Sequence, residues 1–212
     1  MLFVEQREAV MANAEPIDNR LFVLILQHPQ EKKEALATAA LTRTLLRRAE
    51  LAIGLSWANL SRALAGVGLG RPADPKRWAV LYLGSARPAA LGLQREVVAL
   101  DGRGEPAADQ EAMLRALEGV VLLDGTWKEA KTLWWRNPWL LKLRRLVLNP
   151  QHPSRYGRIR REPRREALST LEAAALLLKH LDGGPEIEAA LLSALDRLVA
   201  EARPSRQKRV SK

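Results

Sequence analysis

Four short stretches bring together residue types and spacings able to do chemistry. The first is Asp124-Gly125-Thr126-Trp127, an acid at the end of an apolar run, followed by a glycine turn. Thr126 and Glu129 match the reciprocal S/T-x-x-E pair that caps a helix start. A purely structural reading has Thr126 capping, Trp127 filling core, and Asp124 favoured by the positive end of the helix dipole. It accounts poorly for Asp124, because a carboxylate that ends a buried strand loses its hydration unless it meets a partner. An acid so placed is a candidate proton acceptor or cation clamp, and the pattern alone leaves the structural and functional readings open.

The second stretch, SRYGRIRREPRRE (154–166), holds six arginines between positions 155 and 165, with Tyr156 among them. Guanidinium groups pair bidentately with phosphates and stack on bases, so the segment suits an RNA-facing strip. The plain alternative is a solvated loop whose scattered ion pairs contribute little. The third, STLEA (169–173), repeats the capping pair as Ser169 and Glu172, which by itself marks only a helix start. The fourth, QHPQE (27–31), sets His28 and a helix-opening proline after an apolar run. The chain has three histidines and no acids clustered around them, so no metal site is expected. No phosphate-binding, dinucleotide-binding or serine-nucleophile motif is present, and GVGLG (66–70) lacks the flanking strand and helix a nucleotide loop needs.

These stretches need a scaffold, and the hydrophobic pattern supplies one. LFVLILQH (21–28) and RWAVLYLG (77–84) are continuous apolar runs of strand length, the pattern of parallel strands covered on both faces. VVLLDG (120–125) and RRLVLN (144–149) read as further strands, ELAIGL (50–55) as a short one, and REVVALDG (95–102) as an exposed one. Between them, the segment from Pro29 reads as a helix with Leu41, Leu45 and Ala49 on one stripe. ADQEAMLRALEG (108–119) and TWKEAKTLWWRN (126–137) are also helical, the latter stopped by Pro138, with Trp127, Ala130 and Trp134 on one packing face. Two helices close the chain, STLEAAALLLKHL (169–181) and EIEAALLSALDRLVAEA (186–202). Strands alternating with helices predict an α/β fold, a mostly parallel sheet flanked by helices. Residues 1–20 read as a short helix and lead-in, 21–202 as one domain, and 203–212 as a basic tail without fixed structure. In such sheets ligands sit beyond the carboxyl ends of strands, which singles out residues 27–29, 83–87 and 124–127.

Composition narrows the function classes. The 212 residues are 47% hydrophobic and 27% charged, a globular balance, and carry a formal net charge of +10 from 34 basic and 24 acidic side chains. That excess makes a polyanion the natural partner, nucleic acid ahead of membrane, unless it reflects an arginine-rich proteome alone. With no cysteine there are no disulfides, thiolate–metal sites or cysteine nucleophile. The early acids in MLFVEQREAV argue against a secretory signal, and no apolar run reaches the roughly 18 residues that span a bilayer, so a cytoplasmic protein is expected. A monomer is the default expectation.

Taken in order, the motifs resemble the layout of the DTW-domain family. The chain carries it as His28-Pro29-Gln30-Glu31, Asp124-Gly125-Thr126-Trp127, Ser154-Arg155-Tyr156 with Arg160, and Ser169-Thr170-Leu171-Glu172-Ala173, over about residues 21–182. The resemblance implies a tRNA-uridine aminocarboxypropyltransferase that moves the 3-amino-3-carboxypropyl group of S-adenosylmethionine (SAM) onto N3 of a uridine and releases methylthioadenosine. It also implies a SPOUT-like fold with a knotted SAM-binding region toward the C-terminus. Two features depart from the family pattern. The cysteine-rich, zinc-ribbon-like segment of many members is missing, so no metal is expected, and an Asn-Thr pair after the first strand is Ala37-Thr38 here.

The chemistry fits such a residue set. A sulfonium leaves as a neutral thioether, so neither a metal nor a covalent nucleophile is needed. The protein must aim the correct carbon at the base and help remove the N3 proton. Asp124, its pKa raised by burial, is the candidate for the proton; gripping the donor's amino group is the rival role. Leu83, Gly84, Gly125, Thr126, Trp127, Ser169, Thr170 and Glu172 are expected around SAM, although Glu172 has a capping role available. His28, Lys32, Lys33, Tyr156, Arg158, Arg160 and Arg161 are expected on tRNA. The alternatives are a SPOUT-type RNA methyltransferase, an rRNA-directed aminocarboxypropyltransferase, and a non-catalytic RNA-binding protein.

Overall fold

The computed structural model of the chain describes residues 15–31, 38–67, 72–81, 95–152, 154 and 168–202. In chain order the strands and α-helices are β1 (Phe22–Gln27), α1 (Thr38–Leu45), β2 (Ala49–Ile53), α2 (Leu60–Ala63), β3 (Trp78–Leu81) and β4 (Val97–Leu100). They continue with α3 (Gln110–Arg115), β5 (Gly119–Asp124), α4 (Trp127–Arg136), β6 (Arg144–Leu148), α5 (Thr170–Leu178) and α6 (Pro185–Ala202). The strands form one sheet in the order β2-β1-β5-β3-β6-β4. All neighbours are parallel except the edge pair β4–β6.

Why the strands read as unbroken apolar runs is plain from their two faces. Val23, Ile25, Val120 and Leu122 point into one core with Leu41 and Leu45 of α1, Leu171 and Leu177 of α5, and Ile187, Leu191 and Leu195 of α6. Phe22, Leu24, Leu26 and Val121 point into the other with Leu60 of α2, Leu133 of α4, Trp139 and Leu140. Each residue of β1, and each of β5 except the half-buried Leu123, is therefore buried whichever side it faces, which removes the polar alternation of a one-sided sheet. Alternation of side chains along the pleat assigns odd and even positions to the two cores. The second core needs one close approach. A Cβ on Gly119 would lie 2.6 Å from the ring of its register partner Trp78, so the indole occupies the space of the missing side chain.

The expected α/β class and mostly parallel sheet are present, with three local differences. Ala49 belongs to β2, opposite Val23, and not to the helix stripe. The helical turns described before it are Thr38–Leu45, and Leu46 already bridges Ile17. The segment expected as an exposed strand is β4, buried at all four positions: Val97 and Ala99 join the core of Ala107 and Leu146, and Val98 and Leu100 pack with Val147. Gln110 locks it there, donating to Ala99 O at 2.8 Å and accepting from Ala99 N at 2.8 Å. Finally, α5 does not stop at a turn but widens into a π turn, Lys179–Gly183, before Gly184 adopts a positive φ of 70° and α6 begins. Among the described residues no helix is long and apolar enough to cross a membrane.

The topology places a crevice. From β1 the chain leaves through α1 on one face of the sheet, whereas from β5, its neighbour, it leaves through α4 on the other. Adjacent parallel strands whose connections depart to opposite faces open a gap beyond their carboxyl ends, where ligands bind in open α/β sheets. The last residues of these two strands are Gln27 and Asp124.

Candidate active site

Gln27 and Asp124 are register partners across β1 and β5. Both are buried, at 4% and 8% exposure, which for a carboxylate demands compensation. Gln27 Nε2 donates to Asp124 Oδ2 at 2.7 Å, and Thr170 Oγ1 donates to Asp124 Oδ1. Both oxygens thus accept a bond from a different element, and charge-assisted bonds of this kind offset the lost hydration. The backbone joins in, with His28 N donating to Asp124 O at 3.0 Å. Two elements distant in sequence, β1 and the helix that starts at Thr170, therefore fix a carboxylate carried by a third.

The turn after Asp124 requires glycine. Gly125 has φ of 152°, and a Cβ there would come within 2.9 Å of Glu129 Cβ and 3.4 Å of His28 Cβ. The turn delivers Thr126 to the start of α4, where the expected capping box is complete. Thr126 N and Thr126 Oγ1 each donate to Glu129 Oε2 at 2.7 Å, while Glu129 N donates back to Thr126 Oγ1 at 3.4 Å. Burial pushes the Glu129 carboxyl up, but the Thr126 hydrogen bonds and the nearby His28 outweigh it and hold the group below its ordinary value. His28 Nδ1 sits 3.5 Å from Glu129 Oε1 and 3.3 Å from the Gln30 N–H. The Gln30 N–H donates to Nδ1.

A second helix start meets the same place. Ser169 caps α5 in a complete capping box with Glu172, and Thr170 is the first residue of that helix. Glu172 is only 5% exposed, because its Oε2 accepts from Ser169 N, Ser169 Oγ and Ser154 Oγ, each at 2.8 Å. It is therefore more than a cap, since it also ties Ser154, far back along the chain, to the helix start. The N-termini of α4 and α5 both flank Asp124, so two positive dipole ends and one carboxylate share a small volume. That combination suits a zwitterionic ligand, with a cationic group on the acid and an anionic one at the helix starts.

Of the residues expected around SAM, Gly125, Thr126, Trp127, Ser169, Thr170 and Glu172 gather here around the catalytic candidate Asp124, together with His28 from the tRNA set. Leu83, Gly84, Lys32, Lys33, Tyr156, Arg158, Arg160 and Arg161 lie outside the described residues. The packing expectation for Trp127 is overturned. It is 41% exposed, because the buried face of α4 centres on Ala130 and Leu133, at 4% and 0%, and Trp127 sits at the face's edge on the first helical residue. Three participants carried no functional assignment from sequence: Gln27, Glu129 and Ser154. A parallel register between the first and fifth strands was the signal for Gln27, and pairing order is not written in a single strand's residues. Among the described residues, no group of three or more His, Asp or Glu side chains is placed to hold a metal ion.

The DTW domain matches residues 4–203. The chain belongs to the DTW-domain family. It is 31% identical over 178 residues to tRNA-uridine aminocarboxypropyltransferase 2 of Drosophila melanogaster, covering 83% of this chain and 62% of that protein. It is 28% identical over 185 residues to the Mus musculus protein of the same name, covering 86% and 55%, and 26% identical over 188 residues to that of Macaca fascicularis, covering 87% and 56%. The chain thus spans little more than half the length of these relatives. No solved structure matches it.

Proposed function

We propose that the chain is a tRNA-uridine aminocarboxypropyltransferase that uses SAM as donor and N3 of a uridine as acceptor. The observation that carries this reading is the buried Asp124 carboxylate, held by Gln27 and Thr170 at the crevice between β1 and β5 and flanked by two helix starts. The names of the relatives support the substrate class and the transferred group. SAM supplies an electrophilic carbon next to a sulfonium that departs as methylthioadenosine.

The protein's own residues do the rest. Asp124 accepts the N3 proton as the nitrogen attacks, and its fixed geometry spares the reorganisation a solvated acid would need. Gln27 and Thr170 orient that carboxylate. Thr126, Ser169 and the helix starts they cap hold the carboxylate end of the donor, and Gly125, Trp127 and Glu172 shape the pocket with Leu83 and Gly84. His28, Lys32, Lys33, Tyr156, Arg158, Arg160 and Arg161 form the tRNA-facing set. The SPOUT-like, knotted SAM-binding architecture is part of the same proposal, supported by the meeting of α5 with the end of β5. So are the single domain over residues 21–202, the cytoplasmic setting, and independence from metal.

The test supplies SAM labelled in its carboxyl carbon or in its methyl, with tRNA or rRNA as acceptor. Carboxyl label entering tRNA is expected. Methyl label entering RNA would instead mean a methyltransferase, carboxyl label entering only rRNA a ribosomal target, and neither label a binding module.

A further inference from the structure

Trp135 is 78% exposed on a helix that has a buried side available to it. An indole can bury on the order of 150–250 Å², so leaving one in water forgoes a large apolar gain. Its neighbours on the helix surface explain what it suits. At about 100° per residue, Trp127, Lys131, Trp135 and Lys128 fall within one quadrant of α4, opposite Leu133. This face bears two indoles, two ammonium groups and no carboxylate; Glu129, the one acid of the helix, points elsewhere and is bound to Thr126. Lys131 Nζ lies 5.4 Å from the centre of the Trp127 ring, so cation and aromatic are interleaved. Lys128 and Lys131 form no ion pair with any described acid.

The ridge begins at the site. Trp127 is three residues beyond Asp124, and Trp135 lies about 12 Å farther along the axis at a rise of about 1.5 Å per residue. We propose that this face of α4 is a stacking ridge for a single-stranded segment of the RNA substrate, with a base on Trp135 and phosphates on Lys128 and Lys131. Aromatic platforms alternating with cations are how proteins hold unpaired nucleotides, because every base offers a π face and every link a phosphate. A second protein copy would have to bury two ammonium groups that have no described acid to pair with, whereas a phosphate backbone neutralises them. The inference rests on the RNA-modifying reading above, but it concerns where the RNA lies and not what is transferred.

The test measures binding and not turnover, so the two readings fail separately. A tRNA transcript, a short single-stranded oligouridine and an RNA duplex are titrated against the full chain and its Trp135→Ala, Trp135→Phe and Lys128→Ala/Lys131→Ala variants. Trp135→Ala should weaken tRNA and oligouridine binding about tenfold and leave duplex binding and SAM affinity unchanged, with Trp135→Phe recovering most of the loss. The double lysine variant should flatten the dependence of log affinity on log salt by about 1.4, two phosphates at about 0.7 each. Unaltered tRNA affinity in Trp135→Ala would overturn the proposal, as would an equal loss on duplex. So would a dimer that Trp135→Ala converts to monomer with RNA affinity intact, since a second copy would then cover the face. If tRNA binds as expected but no aminocarboxypropyl group is transferred, the proposed reaction falls and the ridge stands.

Discussion

Gln27 Nε2 donates a 2.7 Å hydrogen bond to Asp124 Oδ2 from the facing position of the neighbouring strand. Strand pairing itself therefore brings the amide within reach of the acid it orients. Gln27→Leu keeps the bulk but removes the donor, leaving a buried carboxylate oxygen with one partner fewer. Stability should fall by about 1–3 kcal/mol in denaturant unfolding, and transfer should fall at least tenfold. Wild-type turnover in Gln27→Leu would show that Asp124 needs no such orientation.

Thr170 offers the complementary test from the other side of the carboxylate, since it donates to Asp124 Oδ1 from the first turn of α5. Thr170→Val removes the hydroxyl at nearly constant volume, whereas Thr170→Ser keeps it. Transfer should drop by roughly tenfold to a hundredfold in the valine variant, the worth of one charge-assisted bond, and largely recover in the serine one. A valine variant as active as the serine one would mean that the hydroxyl bond to Asp124 is not needed for transfer.

Gly125 carries a conformational demand and a steric one together. With φ of 152° and Glu129 Cβ 2.9 Å from the position of an added Cβ, Gly125→Ala must move the start of α4. A loss of about 1–3 kcal/mol is expected on thermal unfolding. Because the same displacement shifts Thr126 and Asp124, activity should fall well beyond what the unfolded fraction explains.

How much of this was legible in the chain can be judged residue by residue. The apolar runs at β1, β3 and β5, and both capping boxes, follow from local rules, since a strand covered on two faces and a helix start each have a pattern of their own. Asp124 stood out because burial of an acid is a conflict visible in sequence. The strand-end rule marked the position of Gln27 but not its role, which depends on which strand lies beside β1. Trp127 misled for a related reason: a helical wheel gives the relative angles of side chains, but the sheet decides which angle is inside. Asn137 was equally silent, although it is wholly buried and fully engaged. Its Nδ2 donates to Leu55 O at 3.1 Å and Leu133 O at 2.8 Å, and its Oδ1 accepts from Trp57 N at 2.8 Å and Trp139 Nε1 at 3.2 Å. It reads in sequence as a residue before a proline, yet it joins the loop after β2 to the end of α4.

A pH effect remote from the crevice follows from Glu96, which precedes β4. Its Oε2 accepts from Lys179 Nζ at 2.9 Å and lies 2.9 Å from His180 Nε2, and Lys179 also reaches Glu188 at 3.3 Å. Burial pushes the carboxyl up, but His180, Lys179 and the Gln151 N–H prevail and hold it at about 2, from an ordinary 4.5. A depressed carboxylate contributes stability that is full above its unfolded value and disappears as pH falls through its folded value. Glu96→Gln should therefore lower stability by about 2 kcal/mol at neutral pH, and its difference from wild type should shrink between about pH 4.5 and pH 2. A difference independent of pH over that window, followed by denaturant unfolding, would contradict this.

The measurement closest to the central claim is transfer of the carboxyl-carbon label of SAM into tRNA by the wild-type chain and by Asp124→Asn, at saturating donor. The asparagine keeps shape and neutral hydrogen bonding but cannot take a proton. The account predicts label in tRNA with the wild type and a loss of about 10²- to 10⁴-fold in the variant, with donor affinity retained. Transfer at the wild-type rate by Asp124→Asn would contradict it.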